Sequence, residues 1–124
     1  MRRLILIPAV ALVLALGGCG SDDDGGGSSG GGQTLSLAAD PGGALKFDKT
    51  ELTAKAGKVT IDLDNPAAIQ HAVEIEGNGV EAESDTVTDA KTSVSADLKA
   101  GTYEFYCPVP GHREGGMEGT LTVE

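Results

Sequence analysis

Cys107, His112 and Met117 lie close together near the C-terminal end, spaced C-x4-H-x4-M within Cys107-Pro108-Val109-Pro110-Gly111-His112-Arg113-Glu114-Gly115-Gly116-Met117. A thiolate, an imidazole and a weak thioether together suit copper cycling between its two oxidation states. Such a site takes a second imidazole, and the sequence holds one other histidine, His71. Taken singly, each residue has a plain structural role: a half-buried histidine, a methionine filling core, a cysteine acting as a small buried hydrophobe. A zinc site from the same residues would leave Met117 without a role, because a thioether is a poor zinc ligand. A Cys–His hydrolase would pair Cys107 with His112, but it needs an orienting third group and would leave His71 and Met117 idle.

The elements that must position these residues are strands. Val59, Ile61 and Leu63 alternate with Lys58, Thr60, Asp62 and Asp64, the period of a strand with one buried face, and Asn65-Pro66 stops the run. Shorter alternations occur at Leu35/Leu37, Leu45/Phe47, Leu52/Ala54, Val94/Ala96/Leu98 and Leu121/Val123, with turn signals between them. His71, Val73 and Ile75 share one face of another expected strand, with Glu74 and Glu76 on the opposite face. Tyr103, Phe105 and Cys107 share the inward face of the next. Residues 80–90 are the least patterned stretch and are read as a long loop with a short strand. No helical period of useful length is present. About eight short strands imply an all-β, two-sheet sandwich whose loops gather at its two ends. His71 opening one strand and Cys107 closing another can then meet at one pole. Pro108, Pro110 and Gly111 fold the loop back and bring His112 and Met117 to the same point. Two imidazoles and a thiolate in a near plane, with a long axial thioether, describe a blue-copper electron-transfer centre.

The loop resembles the ligand loop of the cupredoxins, the plastocyanin/azurin family of small blue-copper proteins. The strand entering it, Gly101-Thr102-Tyr103-Glu104-Phe105-Tyr106-Cys107, and the exit Gly119-Thr120-Leu121-Thr122-Val123 are also similar to that family. So is the segment from Asn65 to His71-Ala72-Val73. The resemblance covers residues 33–124. It implies a cupredoxin-like Greek-key sandwich of about eight strands and one type 1 copper held by His71, Cys107, His112 and Met117. It further implies one-electron transfer between redox partners, not enzyme catalysis. The spacing between Cys107 and His112 is longer than in plastocyanins and nearer that of rusticyanin- and auracyanin-like loops. Many relatives carry Asn after the first histidine, where it ties the two ligand loops together; here Ala72 stands in that place and Pro108 lacks an N–H. The hydrogen bonds around the Cys107 sulfur are therefore expected to differ.

Residues 1–18 are read as a signal peptide: Arg2 and Arg3, an apolar run from Leu4 to Leu16, then Leu16-Gly17-Gly18-Cys19. That last stretch resembles the lipobox of bacterial lipoproteins, which implies cleavage ahead of Cys19 and a diacylglycerol on its thiol. Cys107 is then the only remaining thiol, and no disulfide is available. Residues 19–32 hold the lipidated cysteine and the tether GSDDDGGGSSGGG, which has nothing apolar to bury. The full chain has 9 basic and 19 acidic side chains. Without Arg2 and Arg3 the mature chain has a formal charge of −12, which argues against nucleic acid. It argues equally against charge attraction to an anionic membrane, so the lipid must supply the anchor. The expected protein is a monomer outside the cytoplasm, anchored in the cell envelope. Its partners would be redox proteins with a basic docking face, such as a c-type cytochrome or a membrane oxidase or reductase. The alternative is a module that scavenges copper or delivers it to a membrane oxidase. Two histidines cannot also supply a trinuclear centre, so multicopper oxidase chemistry is excluded.

Overall fold

The structure, a computed structural model, describes residues 32–124. The expected signal peptide, Cys19 and nearly all of the tether lie outside the described residues. Eight strands follow in order: β1 (Gln33–Ala38), β2 (Glu51–Ala54), β3 (Gly57–Asn65), β4 (Glu74–Gly77), β5 (Val80–Glu83), β6 (Ala90–Leu98), β7 (Gly101–Tyr106) and β8 (Glu118–Val123). They form two sheets, one of order β1-β3-β6 and one of order β2-β8-β7-β4-β5. The chain changes sheet at each step from β1 to β4, returns to the smaller sheet at β6, and crosses again into β7. Two of the pairings, β1 with β3 and β2 with β8, are parallel. This is the all-β sandwich that the alternating runs imply.

β3 is the spine of the smaller sheet. Val59, Ile61 and Leu63 are fully buried, flanked by β1 on one side and β6 on the other. Tyr103, Phe105, Leu121 and Val123 close the core from the facing sheet. Each such side chain stabilises the fold by about 1.5–3 kcal/mol through burial. Phe47 packs on Phe105 with ring centroids 5.8 Å apart. The Leu45/Phe47 pattern, expected as a strand, makes only an isolated bridge between Ala39 and Phe47. The reason lies in Asp40, whose carboxylate accepts from the backbone N–H groups of Gly42 and Ala44 and holds the chain in a turn. In the 80–90 stretch, β5 is the expected short strand, and β6 then runs for nine residues from Ala90.

Candidate metal centre

His71 lies in the connection between β3 and β4, and Asn65 organises that connection. Asn65 ends β3 with its side chain fully buried. Its amide donates to the carbonyls of Ile69 (2.9 Å) and Val87 (2.8 Å), and its oxygen accepts from the N–H of Ala67 (3.0 Å). His71 then exchanges both backbone hydrogen bonds with Val87, at 3.0 and 2.9 Å. Further on, the Val73 N–H donates to the Ser84 hydroxyl (2.9 Å), which itself donates to the Asp85 carbonyl (2.9 Å). The 84–87 segment thus covers the side of the chain that the core does not. For this reason Ala72 is buried as well as His71 and Val73, and the expected alternation fails there. The regular strand begins at Glu74, not His71, and Glu74, expected to face out, is 5% exposed.

Cys107 follows directly on β7 and Met117 directly precedes β8. Their backbones continue the ladder between these strands, the Cys107 N–H donating to the Met117 carbonyl at 3.0 Å. Between them the chain makes tight turns. The Met117 N–H reaches the His112 carbonyl (3.1 Å) and the Gly116 N–H reaches the Arg113 carbonyl (3.0 Å). That pair of bonds is a Schellman closure, which needs a positive φ at its penultimate residue; Gly116 supplies φ 121. The backbones of Cys107, Met117 and His112 are therefore linked to one another by hydrogen bonds, independently of any metal.

The side chains converge. His71 Nδ1 lies 3.1 Å from His112 Nδ1, and the Cys107 sulfur lies 3.9 Å from the first and 3.5 Å from the second. A point equidistant from the three atoms is about 2 Å from each, the bond length of imidazole nitrogen, and slightly short of that of thiolate, to a first-row metal. The residues present therefore fit a metal in a trigonal plane of two nitrogens and one sulfur. His71 and Cys107 are completely buried, while His112 is partly exposed. Met117 is completely buried in the same core cluster as Cys107. Burial, and then the nearby His112, hold the His71 pKa below its ordinary value, which keeps the ring neutral with a free lone pair. Burial pushes the Cys107 thiol up, and the backbone N–H groups of Ala72 and Val109 act on the sulfur in the opposite direction.

The sequence pattern of the copper-binding proteins of the plastocyanin/azurin family matches residues 33–124. The chain belongs to this family. It is a cupredoxin, and its cofactor is copper. Auracyanin-A of Chloroflexus aurantiacus is 36% identical to it over 156 aligned residues, covering 99% of this chain and 96% of that one. The structure of auracyanin A, a "blue" copper protein from the same bacterium, superposes with a TM-score of 0.65 at 29% identity, over 76% of this chain and 100% of that one. Auracyanin B gives a TM-score of 0.67 at 25% identity, over 79% and 92% of the two chains.

The backbone N–H groups that act on the Cys107 sulfur are those of Ala72 and Val109, the latter one residue beyond Pro108. Ala67 is fully buried, while Ala68 and Ile69 are exposed, Ile69 at 38%. The support that Asn65 and Ser84 give the His71 segment has no signal of its own in the sequence, where Asn65 shows as the stop before Pro66 and the start of the family-like segment.

Proposed function

We propose that this protein is a type 1 copper electron carrier, with His71, Cys107 and His112 as the equatorial ligands and Met117 as the weak axial one. The convergence of two imidazole nitrogens and one sulfur around a single point carries this reading. A bound copper ion supplies a one-electron couple between Cu(II) and Cu(I). The chain supplies rigidity: the Asn65 network fixes His71, and the 107–117 hydrogen bonds fix the other three ligands. A site that cannot relax between the preferences of the two oxidation states needs little reorganisation to pass an electron. Two of the three converging ligands are buried, which favours electron transfer over copper delivery. The partly exposed His112 is the port for electrons.

The physiological role is transfer between redox proteins outside the cytoplasmic membrane, with the protein tethered through lipid on Cys19. The formal charge of −10 for the whole chain steers a partner with a basic face. β5, at one edge of the larger sheet, carries Glu81 and Glu83, which discourages edge pairing and supports a monomer. One equivalent of Cu(II) added to the purified protein is expected to give an intense thiolate band that bleaches reversibly with ascorbate. Cys107→Ser should remove the band and leave the apo protein folded. A band retained in Cys107→Ser, or a pale tetragonal copper spectrum in the unmodified protein, would overturn the ligand assignment.

A further inference from the structure

One face of the larger sheet carries an unusual density of carboxylates. Cross-strand neighbours place Glu74 opposite both Glu83 and Tyr106, and Tyr106 opposite Glu118. One row away, Glu76 lies opposite Glu81 and Glu104. Like charges directly opposite one another on a sheet destabilise it. Among the described residues a single cation, Arg113 of the ligand loop, is paired into this face. Its Nη2 bonds Glu104 at 2.9 Å, its Nε bonds Glu118 at 3.2 Å, and its Nη1 lies 3.9 Å from Glu76. The guanidinium also stacks over the Tyr106 ring, 3.9 Å from the centroid.

These partners have a common property. Tyr106 precedes Cys107, Arg113 follows His112, and Glu118 follows Met117. We propose that Arg113 is a positioning residue of the metal centre, its one guanidinium joining the chain neighbours of all three ligands in the 107–117 loop. The hydrogen bonds inside the loop set its shape, and its two stems, Cys107 and Met117, are adjacent and bonded to each other. Leu45 lies against the tip, where a Cβ on Gly115 would come within 2.5 Å of its side chain. Arg113 adds an attachment from the tip back to the sheet. The task needs a planar fork that can stack and bond at once, which lysine cannot provide. An isolated exposed ion pair would contribute little, but a network sharing one cation and an aromatic platform holds a geometry.

The proposal rests on the copper reading, and the test separates the two. Arg113→Lys and Arg113→Gln are made in the full chain, and a Glu104→Gln/Glu118→Gln double variant removes the same bonds from the sheet side without leaving new repulsion. In the metal-free protein, amide exchange at Cys107 and Met117 is expected to rise on the order of tenfold in all three, with Val59 to Leu63 unchanged. With Cu(II) bound, all three should show an altered charge-transfer band ratio and copper hyperfine splitting. Arg113→Lys identical to the unmodified protein in both readouts would overturn the proposal, leaving charge alone as the role of Arg113. Uniformly faster exchange with an unaltered copper spectrum would reduce Arg113 to a general stabiliser and also overturn it. No thiolate–copper band in the unmodified protein would remove the copper reading itself, and the positioning role with it. A normal band there with unaltered variants would remove only the role of Arg113.

Discussion

Asn65→Ala should damage both the fold and the metal site, through one buried side chain. Asn65 makes three hydrogen bonds, to Ile69, Val87 and Ala67. On truncation the Val87 carbonyl keeps the His71 N–H, and the exposed Ile69 segment can turn to water. The Ala67 N–H cannot, because Ala67 is fully buried. The two bonds whose carbonyls find other partners cost about 1 kcal/mol each and the orphaned buried donor about 1–3 kcal/mol, so the total is about 3–5 kcal/mol. In a domain of this size that lowers Tm by at least about 12 °C. The same bonds hold the segment that delivers His71, so copper affinity should fall about 10- to 100-fold, as is usual when a ligand's support is removed. Thermal unfolding of the metal-free protein by circular dichroism measures the first effect, and competition titration against a chelator measures the second. Asn65→Asp tests the direction of the bonds: it turns an acceptor oxygen toward the carbonyls of Ile69 and Val87, and it should be no better than alanine. A loss under about 1 kcal/mol, or a large loss of stability with copper affinity intact, would refute the claim that Asn65 orients His71.

Three other perturbations follow from the structure. Gly119→Ala places a Cβ 2.5 Å from the Thr50 carbonyl and against the Phe105 ring, and overpacking should cost about 1–3 kcal/mol, read as a lower denaturant midpoint with unchanged slope. Met117→Leu conserves volume, so stability should change by less than about 1.5 kcal/mol, while loss of the axial donor should raise the reduction potential measured by voltammetry. The metal-free protein should lose stability as the pH falls below 6.5, because the unfolded chain protonates His71 before the folded one does; that contribution is present above 6.5 and lost as the pH drops through the lowered folded value. Glu74, whose pKa is raised by burial, works in the opposite sense, so the slope is assigned by comparison with His71→Ala, which should flatten it.

The ligand types, their order and their placement at strand ends were legible because each depends on the chain near it. Val59, Ile61 and Leu63 alternate with polar residues, so β3 declared its buried face, and the Tyr103/Phe105 pattern carried Cys107 inward for the same reason. The failures share a different cause. Glu74 could be recognised as buried only by knowing that β5 and Tyr106 of β7 flank it, an arrangement set by tertiary structure. The Leu45/Phe47 alternation is genuine, but the Asp40 turn competes with the strand and prevails. The donors to the Cys107 sulfur come from the backbone of Ala72 and Val109, and every residue except proline carries that group. Side-chain identity therefore exposed the ligands and concealed what orients them. The orienting contacts divide the site in two: Asn65 and Ser84 hold the His71 side, and the loop hydrogen bonds with Arg113 hold the other. Asn65 and Arg113 share no hydrogen-bond partner, so their effects should add where each acts on stability. Their two sides of the site meet at the point between His71, Cys107 and His112. A double variant of Asn65 and Arg113 should therefore be additive in the unfolding of the metal-free protein, and non-additive in copper binding, where both halves must be in place at once.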